Sequence, residues 1–209
     1  MAIHSTYGSL PPLTLAHDMF EARDTTTKMK GPIRDVFLKH GMHDRYGVSL
    51  LHKHFDLAPN ERLVEYHDVS TPWTLSNTDD HEIPTLGGYV VPQNYKLEDG
   101  KLAPFEFAMQ YERPNGTDAG PEFLRDLSRV LEEHNLTNVL GLRKRPPPSD
   151  LTLEVTQGRA NIMVPPSAAD GPAIGAFWTF GEGVDEELSC FQICLVYCGI
   201  HFPEHSGNL

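Results

Sequence analysis

The sequence predicts an α+β fold, a single β-rich domain built as a sheet, a sandwich or a barrel-like structure, with a few short helices packed on it. Short segments rich in β-branched and aromatic residues outnumber the segments with helical periodicity. The 17 prolines and 17 glycines are spread through all 209 residues, which is typical of many short elements joined by turns.

Three segments carry helix signals: 14–22, 32–41 and 121–134. The third is the clearest, because Pro121 suits the first turn of a helix and Glu122 favours the positive end of its dipole. Its apolar residues form one stripe, which we expect to pack on the sheet. The stripe consists of Phe123, Leu124, Leu127, Val130 and Leu131.

The strand candidates are 47–55, 63–69, 88–91, 105–112, 139–142, 151–156, 162–164, 176–180 and 191–200. In 105–112 apolar residues alternate with polar ones or alanine, which predicts a half-buried strand. We expect one domain over residues 1–209, with a flexible segment at 1–12 and a loop break at 143–150, where three prolines follow a basic run.

Composition narrows the classes of function. The formal net charge of −12 argues against a nucleic-acid-binding protein, since phosphate contacts need a basic surface. No run of about 18 apolar residues occurs, so no membrane span is expected. The N-terminus lacks the basic and apolar regions of a secretory signal, and we expect a cytoplasmic protein. The oligomeric state is left open.

All three cysteines lie near the C-terminus, at Cys190, Cys194 and Cys198, with His201 and His205 after them. Three clustered cysteines do not make a disulfide framework, which fits a reducing compartment. In an extended strand Cys190 and Cys194 would be about 13 Å apart, too far to share one ion. We expect reduced cysteines buried in a strand, with a zinc site as the weaker alternative.

A group of histidines is the strongest functional signal. One residue separates His52 from His54, and one separates Glu65 from His67, so each pair would share one face of a strand. If Pro59 and Asn60 form the turn of a hairpin, all four side chains meet on one inward face. Burial of ionisable side chains is costly unless they are paired or coordinate a metal. Four of them on one inward face would therefore indicate a specific role.

Three interpretations of this group remain open. His52, His54, Glu65 and His67 could bind a divalent metal, with iron or zinc the candidate ions. They could instead form a metal-free pocket for acid–base chemistry, or be structural histidines. His43 and Arg45, which precede the first strand in a loop, are further candidates for ligand contacts.

The function that follows is a small-molecule enzyme with a histidine-rich hairpin pocket. Its chemistry would be metal-dependent or metal-free, of the isomerase, lyase or hydrolase kind. The alternative is a non-catalytic, acidic binding protein, which should show dispersed histidines and an exposed apolar patch.

Overall fold

The computed structural model describes residues 3–74, 82–83, 87–112, 119–146, 151–168, 171–181 and 188–196. Its helices are α1 (Ile3–Gly8), α2 (Leu13–Glu21), α3 (Thr25–Lys28), α4 (Arg34–Lys39) and α5 (Pro121–Glu133). A π-helical turn, Met29–Ile33, joins α3 to α4, and a short 3-10 turn covers Pro166–Ala168. None of the described helices is long and apolar enough to cross a membrane.

The described strands are β1 (Tyr46–Leu50), β2 (Glu61–Tyr66), β3 (Val69–Thr74), β4 (Glu82–Ile83), β5 (Gly88–Glu98), β6 (Lys101–Gln110), β7 (Leu140–Lys144), β8 (Thr152–Gln157), β9 (Ala160–Val164), β10 (Ala173–Thr179) and β11 (Ser189–Leu195).

Ten of these strands close into a barrel, in the order β5-β6-β2-β3-β9-β8-β11-β10-β1-β7. Pairing of Asn94 with Arg143 and of Tyr95 with Leu142 joins β7 back to β5 and completes the ring. β4 pairs with β5 as an additional strand. Two neighbouring pairs, β2–β6 and β8–β11, are parallel, and the other pairs are antiparallel. The predicted fold class, a β-rich α+β structure with a few short helices, is confirmed.

The main apolar core lies outside the barrel wall. The helices α2, α4 and α5 cover the outward faces of β1, β7 and β10, where Val48, Leu142 and Trp178 are buried. The α5 stripe contributes Phe123 and Leu127 to this core, as its periodicity predicts. The outward faces of β2, β5 and β6 carry a separate apolar group, Val64, Val90 and Phe107.

A third apolar group involves the N-terminal segment that we expected to be flexible. Residues 3–8 form α1, and its Tyr7 is buried against Leu51, Leu63 and Phe105. At the expected break after residue 142, β7 continues through Lys144, and residues 147–150 lie outside the described part of the chain.

The predicted hairpin between segments 47–55 and 63–69 is wrong. β1 pairs with β7 and β10, whereas β2 pairs with β3 and β6. β1 ends at Leu50, and the chain then runs beside the N-terminal segment, where the Lys53 amide donates to the Pro11 carbonyl. The turn after β2 lies instead at His67 and Asp68, because Tyr66 pairs with Val69.

Candidate functional site

The barrel interior is polar. Arg143 on β7 donates to Gln192 on β11 and lies 3.9 Å (Nη2 to Oε2) from Glu65 on β2. Both partners are three strands away from β7 around the ring, in opposite directions, so these contacts cross the interior. We call the residues around Arg143 the interior cluster. It comprises His52, His54, Glu65, Asn94, Glu106, Arg143, Glu154, Asn161, Gln192 and Cys194.

The His52 ring is fixed by a backbone contact. Its Nδ1 lies 2.9 Å from the Leu50 carbonyl oxygen, which can only accept, so Nδ1 carries the proton. The unprotonated Nε2 then faces Cys194, 3.6 Å from Sγ. Burial, with a further contribution from neighbouring His54, lowers the pKa of His52 to about 4. His52 is therefore neutral at pH 7 and offers a lone pair to the barrel interior.

His54 is held in the same tautomeric form. The Asn161 amide nitrogen, a donor, lies 3.3 Å from Nε2, and Thr156 Oγ1 lies 3.2 Å from Nδ1. Burial lowers the pKa of His54 to about 4, and the Arg143 charge acts in the same direction. The rings of His52 and His54 meet edge to face with their centroids 4.7 Å apart. Two neutral imidazoles thus lie side by side at the site.

Glu154 on β8 connects the histidines to β11. Its Oε1 accepts a hydrogen bond of 2.8 Å from Asn161 Nδ2, and its Oε2 accepts one of 2.7 Å from the Cys194 thiol. Burial, and then the Glu154 charge, raise the pKa of Cys194 well above its usual range. The ligand atoms of His52, Glu154 and Cys194 all lie within 4.8 Å of one another, a spacing at which the group could hold a metal ion.

A second carboxyl group faces His54 from β6. Glu106 Oε1 lies 4.0 Å from His54 Nε2, and its Oε2 accepts a hydrogen bond from Asn94 Nδ2. Burial, reinforced by the charge of Glu154, raises the pKa of Glu106 to about 7. Burial also raises the pKa of Glu65 above its ordinary value. The cluster holds three carboxyl groups and one guanidinium group, so acidic groups outnumber basic ones.

Two small cavities adjoin the cluster, each of about 10 Å³, and both are lined by Glu106, Arg143 and Glu154. This volume is close to that needed for one water molecule. Ser49 Oγ, Asn94 Oδ1 and Arg143 Nε are buried without a hydrogen-bond partner, and all three residues line the first cavity. Buried polar atoms are rarely left unpaired, so a water molecule or a ligand in this cavity would satisfy these three.

The structure brings together some of the predicted residues and not others. His52 and His54 share the first cavity, and Glu65 lines the second. His67 is wrong as a member of the group, because it occupies the exposed turn after β2 with a φ of 52°. His43 lines a separate surface cleft of about 460 Å³ together with Arg145, far along β1 from His52, and Arg45 is exposed in the loop before β1.

The C-terminal cysteines are only partly described. Cys194 is buried and reduced, as predicted, whereas Cys190 is exposed, which contradicts the expectation of burial. Cys198, His201 and His205 lie outside the described residues.

Several members of the cluster were missed because no local motif marks them. Glu106, Arg143 and Glu154 each sit in a strand of otherwise ordinary alternation, and only barrel closure brings them together. A charged residue between two apolar residues is the one signal available, as for Glu154 between Leu153 and Val155.

Comparisons with protein-family models, with curated proteins and with solved structures found no match to this chain. The case for a function therefore depends on the geometry of the interior cluster.

Proposed function

We propose that this chain is an enzyme that carries out acid–base chemistry on a small molecule, by an isomerase, lyase or hydrolase reaction. The observation that supports this most directly is the convergence of two neutral imidazoles and three carboxyl groups on two water-sized cavities. The substrate would reach the interior cluster by displacing side chains around its two cavities, each of which has room for about one water molecule.

Stability alone does not account for the cluster. Charged groups lose hydration when they are buried, and replacing buried ion pairs by apolar residues is often neutral or stabilising. The wall of this barrel already has apolar cores on its outer side. Polar interior residues such as Glu106 and Glu154 therefore have a more natural explanation in ligand binding or catalysis.

Glu106 and His54 are the best candidates for the acid and the base. Their pKa values are displaced in opposite directions, to about 7 and about 4, so a protonated carboxyl group and a neutral imidazole coexist near pH 6. Glu106 would donate a proton, and His54 would accept one through Nε2. Arg143 would stabilise negative charge that develops on a substrate oxygen.

The alternative of a non-catalytic binding protein has less support. Among the described residues, the large apolar side chains that are exposed are Leu15 in α2, Tyr111 just after β6 and Leu151 just before β8, and three residues so far apart in the chain give no sign of the extended patch that a binding protein should show. We also propose a cytoplasmic location, which the free thiol of Cys194 fits, since disulfides are rare in that compartment.

Turnover measurements test this proposal. The purified chain would be assayed with short-chain aryl esters, small hydroxy acids and small aldoses, which represent hydrolase, lyase and isomerase chemistry. We expect Glu106→Gln and His54→Gln to reduce any turnover by about 100-fold or more, in the range of a lost general acid or base.

Glu132→Gln provides the matched control, because Glu132 is an exposed residue of α5. Its activity should equal that of the unmodified chain. Failure of the unmodified chain to turn over any of the three substrate classes, or full activity in both Glu106→Gln and His54→Gln, would contradict the proposal.

A further inference from the structure

We propose that the barrel interior is a zinc site, in which His52 Nε2, Glu154 Oε2 and the Cys194 thiolate bind the ion. The fourth coordination position would face the cavity lined by Ser49 and Asn94. This inference depends on the proposed function only for the catalytic use of the ion, since binding can be measured by itself.

The distances suit a tetrahedral ion. Zinc–sulfur and zinc–nitrogen bonds of about 2.3 and 2.0 Å place two such ligands about 3.5 Å apart. Cys194 Sγ and His52 Nε2 are 3.6 Å apart. The Cys194–Glu154 separation of 2.7 Å is that of a thiol hydrogen bond, and it would widen by about 0.8 Å when the thiol proton is replaced by the ion.

Two of the three ligands are oriented by a second contact. The Leu50 carbonyl accepts the Nδ1 proton of His52, so that Nε2 faces the site. Asn161 holds Oε1 of Glu154, which leaves Oε2 directed at Cys194. Such supporting hydrogen bonds are typical of metal ligands in proteins, where they fix the tautomer of the histidine and the direction of the carboxylate.

The charge of the cluster favours a dication. Glu65, Glu106 and Glu154 place three carboxyl groups around the single guanidinium group of Arg143. Arg143 itself would repel a cation, but Glu65 lies 3.9 Å from it and offsets part of its charge. A divalent ion between Glu154 and Cys194 would compensate the carboxylate of Glu154 and the thiolate of Cys194.

The ligand types select zinc over iron. A thiolate is a soft ligand that suits zinc, whereas mononuclear iron enzymes commonly use two histidines and one carboxylate. The second histidine, His54, is not in the group of three residues whose ligand atoms lie within 4.8 Å of one another. Three protein ligands and one open position are the arrangement of catalytic zinc sites, in which the ion activates a water molecule.

Buried polar side chains surround the proposed fourth coordination position. Ser49 and Asn94 each expose only 4% of their surface, and each has an unpartnered oxygen at the cavity that His52 and Glu154 also line. A water molecule on the ion could donate its protons to these two oxygens. A zinc ion held by His52, Glu154 and Cys194 would therefore also account for the unpaired oxygens, through the water molecule in its fourth position.

Metal content and cobalt spectroscopy test the inference. The chain with Cys190→Ser and Cys198→Ser retains Cys194 as its single thiol. We expect this double variant to bind about one zinc ion per chain, by elemental analysis after dialysis. With cobalt(II) in place of zinc, it should show a thiolate-to-cobalt charge-transfer band in the near ultraviolet.

In this background, His52→Gln, Glu154→Gln and Cys194→Ser should lose zinc, and Asn161→Leu should lower the affinity by 10- to 100-fold, as for other supporting residues. Glu132→Gln should bind as before. Circular dichroism would check that each variant is folded. A misfolded variant would also lose metal, so the outcome is decided by the folded single-thiol protein. If that protein binds no zinc, or binds cobalt without a thiolate band, the inference is overturned.

The two proposals fail separately. Turnover in protein that binds no zinc would refute the metal site and leave the acid–base enzyme in place. One zinc bound by Cys194 in a protein without turnover would support the metal site and reject the catalytic proposal.

Discussion

At the scale of single residues, the protonation of the interior cluster is governed by burial. The Glu106 carboxyl has an ordinary pKa of 4.5 and a folded-state pKa of about 7, chiefly because its charged form loses water. Between these values the folded state holds a proton that the unfolded state has released. The contribution of Glu106 to the free energy of unfolding is therefore most favourable below about pH 4.5, and it is lost as the pH rises toward 7.

Glu106→Gln should remove this loss. The quantity of interest is the free energy of unfolding of the metal-free variant minus that of the metal-free unmodified chain. We expect this difference to be about 1–3 kcal/mol more favourable to the variant at pH 8.5 than at pH 5. The glutamine oxygen can still accept the Asn94 hydrogen bond, so the contact is kept. Urea unfolding at the two pH values measures this difference. If the substitution changes the free energy of unfolding equally at both pH values, ionisation of Glu106 does not destabilise the folded protein.

The histidine pair shows how much of the site is predictable from sequence. His52 and His54 were found because two histidines one residue apart are unusual in an apolar segment. Their inward direction was predicted for a wrong reason. On β1 the residues that share parity with them, Val48 and Leu50, face outward to the helices, and His52 turns inward only after the strand has ended.

At the scale of elements, the strands separate two environments. In β6 the alternation was read correctly as a strand, but the apolar face, which includes Phe107, lies outside, and Glu106 lies inside. Alternation of apolar and polar residues predicts that the two faces of a strand differ, but it does not predict which face lies inside the barrel. The pairing of β1 with β7 and β10 was likewise unpredictable, because it joins residues about 90 and 130 positions apart.

Close packing inside the barrel gives a prediction at Gly47 of β1. A Cβ atom there would lie 2.2 Å from the Trp178 carbonyl oxygen and 2.7 Å from the Phe177 ring. Backbone on the neighbouring strand must therefore move, and we expect Gly47→Ala to lower the free energy of unfolding by about 1–3 kcal/mol.

Gly8→Ala is the control, since nothing lies within 4 Å of a Cβ at that position in α1. It should be neutral or slightly stabilising in thermal unfolding. Equal unfolding midpoints for the two variants would refute the tight strand contact at Gly47.

At the scale of the whole molecule, the barrel should be sensitive to acid. The pKa values of His52 and His54 fall from 6.5 to about 4 on folding, so the unfolded chain binds more protons between those values. Stability is fully present above pH 6.5 and is lost as the pH falls toward 4. Glu106, with its raised pKa, offsets part of this loss.

His54→Gln isolates the histidine contribution. We expect it to reduce the dependence of unfolding free energy on pH by about one proton, or about 1.4 kcal/mol per pH unit, between pH 4.5 and 6. Denaturant unfolding of the metal-free protein across this range measures the slope. A slope unchanged from that of the unmodified chain would mean that His54 is protonated in the folded state.

The whole fold was predictable in class but not in closure. Composition and periodicity favoured many short strands with few helices, and the structure confirms this. Closure depends on the contacts of Asn94 with Arg143 and of Tyr95 with Leu142, two register pairs that no local pattern marks. Only barrel closure brings Glu106, Arg143 and Glu154 close to one another. The site could therefore not be predicted without knowledge of the barrel.

The outward position of the main apolar core has a consequence for how this protein can diversify. Residues such as Val48 and Leu142, which hold the helices to the barrel, and residues such as Ser49 and Arg143, which line the interior, are next to each other in sequence but on opposite sides of the wall. Mutations could therefore alter the interior one residue at a time while the outer core keeps the chain folded. The same shell could come to hold a different set of reactive groups by changes at alternate positions alone.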